Sequence, residues 1–203
     1  MSTVIRLDLV RCGSTAWERD GRLRGETDLP LDESGVEMAE AAAEELAGRP
    51  IRLVVHPADE AATETARIVA GRLGARTRMI RDLTDPSLGL LEGMSAADFA
   101  ARHPSRAKTL DVQPMRFTAP EGEPFDAARC RILHALGGAL RRPRGPVVAV
   151  LHSLGLGLVR SWLAGDEDAR FRTLIDDRPP VEHHVLTPAD VAAMRKVEVP
   201  ASV

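Results

Sequence analysis

The chain has 203 residues and a formal charge of −3, with 44 % hydrophobic and 28 % charged residues. This is close to the soluble globular average, so disordered and fibrous classes are excluded and one domain is expected to span residues 1–203. There is no basic tail and no long apolar run, which argues against nucleic acid as the main partner and against a membrane span.

Short β-branched runs at 4–10 and 51–55 read as buried parallel strands. A weaker strand follows at 76–80, and the strongest lies at 146–151, opened by Gly145-Pro146. Residues 182–186 read as an edge strand. Between them, Asp32 N-caps a helix running to about 46, and helices are expected at 58–73, 123–142 and 154–163. Strand–helix alternation of this length predicts an α/β three-layer sandwich, a mostly parallel central sheet flanked by helices. Residues 87–124, rich in Pro and Gly, break the rhythm and read as a lid or insertion over one end of the sheet.

Open parallel sheets bind ligands at the carboxyl ends of their strands. Four candidates fall there: Arg11-Cys12-Gly13 after the first strand, His56 after the second, Asp85 after the third and His152 after the fourth. Each has a plainer reading. Cys12 would serve as a small buried hydrophobe, His56 as a helix-entry residue before Pro57, and Asp85 as a turn residue before Pro86. His152, ending an apolar strand, needs a polar partner in either case.

The order of segments resembles the histidine phosphatase superfamily, in its phosphoglycerate-mutase-like branch, over nearly the whole chain. Leu9-Val10-Arg11-Cys12-Gly13-Ser14-Thr15-Ala16-Trp17-Glu18 looks like the family's L-V-R-H-G-E-[ST]-x-W-N. Gly21-Arg22-Leu23-Arg24-Gly25, Asp28-Leu29-Pro30-Leu31, Glu64-Thr65-Ala66 and Pro120-Glu121-Gly122-Glu123 follow in the family's order. Leu83-Thr84-Asp85 and Val150-Leu151-His152-Ser153 complete the match. The resemblance implies a phosphoglycerate-mutase-like fold and places the nucleophile at Cys12, where the family has His. It places the general acid at Asp85, where the family has Glu. A second phosphate-binding Arg of the family is replaced by Ala61, and an Asn by Glu18.

These replacements predict loss of phosphomonoesterase activity, because a carboxylate stands where a phosphate donor belongs. Cys12, His152 and Asp85 have the residue types of a cysteine hydrolase or acid–base site for a non-phosphorylated small molecule. Arg11, Glu18, His56, Arg22 and Ser153 are the expected substrate-binding set. A catalytically inert binding module and a retained weak phosphatase stand as alternatives. No metal or cofactor is expected: Cys12 and Cys130 have neither metal nor disulfide spacing, and His183 and His184 point to opposite faces of a strand. Cys130 reads as core. A cytoplasmic location is expected, and the exposed edge strand would permit a homodimer.

Overall fold

The computed structural model describes residues 4–166, 170–171 and 180–199. Five strands, β1 (Ile5–Arg11), β2 (Leu53–His56), β3 (Arg76–Met79), β4 (Val147–Leu151) and β5 (Val181–Leu186), form one sheet in the order β3-β2-β4-β1-β5. The first four run parallel, and β5 lies antiparallel against β1. β4 is buried at every residue, as a central strand covered on both faces must be.

Helices α2 (Glu33–Glu45) and α3 (Glu60–Leu73) cover one face, where Ala42, Ala66 and Val69 meet Val10, Val54 and Val148. The other face carries α6 (Phe125–Ala139), α7 (Ser153–Ala164) and α8 (Pro188–Met194), packed on Leu7, Leu9 and Leu151. Phe125, Ile132, Leu133 and Leu136 lie on one helical stripe of α6 and are fully buried. Each contributes about 1.5–3 kcal/mol by leaving water. The three-layer α/β sandwich expected from the sequence is the observed fold.

Three details depart from the expectation. Asp59 accepts a hydrogen bond from Ala62 N at 3.0 Å, so α3 begins at Glu60 and Asp59 is its cap, not an interior residue. Within 87–124 lie two helices, α4 (Ala96–Arg102) and α5 (Pro104–Val112), the second opened by Pro104. Their Phe99 and Leu110 join the main core, with Phe117 edge-on to Phe125 at 5.9 Å, so this insertion is packed into the same core. Cys130 is only partly buried: its Sγ donates to Val197 O at 2.9 Å from the rim of α6, which corrects the reading of this residue as core. Among the described residues no helix is long and apolar enough to cross a membrane.

Candidate active site

Register builds the site. Arg11 pairs with Leu151, so Cys12 and His152, the next residue of each chain segment, leave the sheet side by side. Cys12 N donates to Leu151 O at 2.8 Å and fixes that exit. The loop after β1 docks on the start of α2, where Asp32 Oδ1 accepts from both Ser14 Oγ and Gly35 N at 2.8 Å. A Cβ on Gly13 would strike Gly35 O, and one on Gly35 would strike Ser14 O, so both glycines are required for this contact. A short helix, α1 (Ala16–Arg19), follows and carries Glu18.

Cys12 Sγ lies 3.5 Å from Thr65 Oγ1. That hydroxyl oxygen already accepts from Gly13 N at 3.1 Å, which leaves its hydrogen available to the sulfur. On its other side, His152 sits buried with Nε2 2.7 Å from Asp59 Oδ1. The imidazole therefore donates from Nε2 to Asp59, and buried Nδ1 has no hydrogen-bond partner among the described residues. Burial opposes a charge on His152, but the Cys12 sulfur and the Asp59 hydrogen bond outweigh burial and Arg24, and its pKa is pushed up to about 10. Asp59 is the mirror case. Burial raises it, yet the hydrogen bond and charge of His152, with the Ala62 amide and Arg24, hold it at about 2.

Asp85, also expected in the site, is buried but occupied differently. Its carboxylate accepts from Gly155 N at 2.7 Å and Leu154 N at 3.4 Å at the head of α7, and from Arg24 Nη2 at 3.3 Å. Burial raises its pKa against the pull of Arg24, His152 and the Gly155 amide. The carboxylate that touches His152 is Asp59. His56 closes β2 nearby, buried, with Nδ1 donating to Pro57 O at 2.7 Å; burial lowers its pKa, so its ring is neutral.

A cavity of about 250 Å³ opens beside these groups. Arg11 and Ser153, the chain neighbours of Cys12 and His152, line it together with Glu18, Arg22, Arg24 and Asp85; Leu88 and Phe171 supply apolar wall. Glu18 faces this space with its carboxylate held by Thr15 N at 3.0 Å and Ser153 Oγ at 3.3 Å. Arg22 on the rim donates to Gly93 O at 2.8 Å. The expected substrate-binding set thus gathers at one cavity except His56, which does not line it. Asp59, Thr65 and Arg24 were not singled out as site residues from sequence. Asp59 has a residue type suited to an N-cap but falls inside the expected helix 58–73, and Thr65 and Arg24 each lie inside a matched segment. Among the described residues no group of three His, Cys, Asp or Glu side chains is arranged to hold a metal ion.

A parallel sandwich with reactive groups after β1 and β4 is the arrangement of a known class. The chain belongs to the histidine phosphatase superfamily (branch 1), whose family model matches residues 7–186. It is 26 % identical over 163 residues to the probable phosphoglycerate mutase GpmB of Enterobacter sp. (strain 638), covering 80 % of this chain and 76 % of that one. Among solved structures, a mycobacterial glucosyl-3-phosphoglycerate phosphatase aligns with a TM-score of 0.71 at 24 % identity, over 85 % of this chain and 84 % of its own. Bacillus stearothermophilus YhfR aligns with a TM-score of 0.75 at 24 % identity, over 85 % of each chain. These two likenesses concern the fold.

Proposed function

We propose that this chain is a cysteine-dependent enzyme on the histidine phosphatase fold, acting by acyl transfer or hydrolysis on a non-phosphorylated small molecule. The observation that carries the reading is the 2.7 Å contact between Asp59 and His152 beside Cys12. Cys12 sulfur attacks the acyl carbon, a C–S bond forms, and the leaving group departs with a proton from His152. Water, giving its proton back to His152, then cleaves the thioester and releases the acid. Asp59 orients the ring and supports its charge. Asp85 acts instead on Arg24 and the head of α7, and takes no proton in this scheme.

The cavity's charge supports the choice of substrate. Arg11, Arg22 and Arg24 suit a carboxylate or carbonyl oxygen, whereas Glu18 faces the same space. Like charges about 4 Å apart near a protein surface repel by roughly 4 kcal/mol at an effective dielectric near 20, so Glu18 works against a phosphate dianion. Exposure favours a second reading, an inert binding module: Cys12 is 3 % and His152 1 % exposed, and neither lines the cavity.

Purified protein assayed with p-nitrophenyl acetate and p-nitrophenyl phosphate separates these readings. Ester turnover lost in Cys12→Ala, with no phosphate release, is expected. Cys12-dependent phosphate release overturns the proposal in favour of a phosphatase. Absence of both activities, with Cys12 inert to iodoacetamide, establishes the binding module.

A further inference from the structure

The opposite end of the sheet carries a larger cleft, of about 700 Å³. Its floor is apolar, built from Ile5, Pro50, Pro146 and Val191, and its rim carries Arg6, Arg141, Arg142 and Arg195. An adjoining cavity of about 200 Å³ shares Arg142 and adds Arg52, Arg76, Arg78 and Arg144. No Asp or Glu lines either space. None of these eight guanidinium groups is paired with a carboxylate among the described residues.

Eight unneutralised cations at one end of a chain of net charge −3 need a reason. Choice of Arg over Lys is none, since Lys108 and Lys196 are the chain's only lysines. Position is more telling. Arg141 and Arg195 follow the carboxyl ends of α6 and α8, where a cation suits the helix dipole. Arg76 and Arg78 lie on edge strand β3, where charge discourages pairing with another sheet. Neither cause accounts for Arg6 on an interior strand, or for Arg142 and Arg144 in the loop between α6 and β4. Arg6 and Arg142 meet at a cleft whose floor is apolar and whose charged lining is all basic, and Arg144 lines the cavity adjoining it.

We propose that this cleft binds an organic polyphosphate of nucleotide size, with its phosphates on the arginine rim and its planar or apolar body on the floor. Guanidinium forks hold phosphate oxygens in pairs, and the cleft lies within the roughly 300–1,000 Å³ usual for small-ligand sites. The apolar floor favours a single ligand with a body to bury over a strand of nucleic acid, whose phosphates would meet only the rim. The site lies at the other end of β1 and β4 from Cys12 and stands independently of the reaction proposed there.

The test is calorimetric titration of the whole chain, at low salt, with ATP, adenosine, inorganic tripolyphosphate and a single-stranded RNA as probes. ATP is expected to bind, adenosine not to bind, and tripolyphosphate to bind at least about tenfold more weakly than ATP, having phosphates but no body. R141A/R142A and R6A/R195A, all at exposed positions, are each expected to weaken ATP by at least about tenfold, whereas Arg67→Ala, at an exposed position on α3, leaves it unchanged. The proposal is overturned if ATP does not bind, if the rim variants leave its affinity intact, or if Arg67→Ala weakens it as much as they do. It is equally overturned if tripolyphosphate matches ATP, or if single-stranded RNA binds more tightly than ATP.

Discussion

Asp59 Oδ1 stands 2.7 Å from His152 Nε2 and 3.0 Å from Ala62 N, so one oxygen both orients the buried imidazole and caps α3. The two tasks can be separated. Asp59→Asn keeps the cap, because Asn caps helices as well as Asp, but removes the charge. Alkylation of Cys12 by iodoacetamide at pH 7 should then slow severalfold, measured against Cys130, whose thiol burial pushes up. The variant should lose about 1.5–3 kcal/mol, the usual worth of a hydrogen bond to a charged group. Unchanged alkylation would remove Asp59 from the mechanism.

Stability should depend on pH through the same pair. His152 rises from 6.5 to about 10 on folding, so its contribution is complete below pH 6.5 and is lost as pH climbs through 10. Asp59 falls from 3.8 to about 2, so its contribution is complete above pH 3.8 and is lost as pH drops through 2. Urea unfolding should therefore show a plateau between these limits and a decline of a few kcal/mol from pH 7 to 10. In Cys12→Ala the decline should begin at lower pH, since the sulfur no longer supports the imidazolium. A flat profile to pH 10 would contradict the His152 assignment.

Arg24 and Asp85 are buried together, at 6 % and 4 % exposure. Arg24→Met should cost about 3–5 kcal/mol by leaving the carboxylate enclosed and uncompensated. R24M/D85N should recover much of that loss, because a neutral amide in place of the carboxylate needs no counter-charge. Thermal or urea denaturation of the parent and the two variants reads the difference directly.

Gly35→Ala should be among the most disruptive small substitutions, since its Cβ would strike the backbone carbonyl of Ser14. The loop that holds Cys12 must then lift from α2. Expected is a loss of at least about 2 kcal/mol together with faster alkylation of Cys12, now less shielded. Gly71→Ala in α3, where a Cβ meets nothing, is the control and should be neutral or stabilising.

Glu18→Gln removes the carboxylate from the cavity and keeps a group able to accept from Thr15 N. Inorganic phosphate should bind this variant at least about tenfold more tightly than the parent, roughly 1.4 kcal/mol, when followed by calorimetry. Equal affinity would show that Glu18 does not govern anion entry.

The fold was legible because strand and helix periods alternate cleanly and β4 is unbroken aliphatic sequence. Cys12 and His152 were legible for a related reason: each ends such a strand, and strand ends converge. Asp59 was not. It lies three residues after His56 in a stretch whose helical pattern runs back to Ala58, and only its cap hydrogen bond places the helix start one residue beyond it. Helices α4 and α5 escaped because Pro104 divides them and neither has a long apolar stripe. Arg24 escaped because the matched segment Gly21-Arg22-Leu23-Arg24-Gly25 gives no hint that it is buried against a carboxylate 61 positions away.

The cavity wall at residues 21–25, with Glu26 and Thr27 after it, is stitched to the insertion that follows β3. Leu23 N donates to Met94 O and Gly93 N to Leu23 O, at 2.9 and 2.8 Å. Arg22 reaches Gly93 O, and Glu92 accepts from both Glu26 N and the Thr27 hydroxyl. On this side the mouth is a fixed gauge rather than a gate. Ligand capture should accordingly follow a single exponential whose rate grows linearly with concentration, without the plateau that a slow closing step imposes.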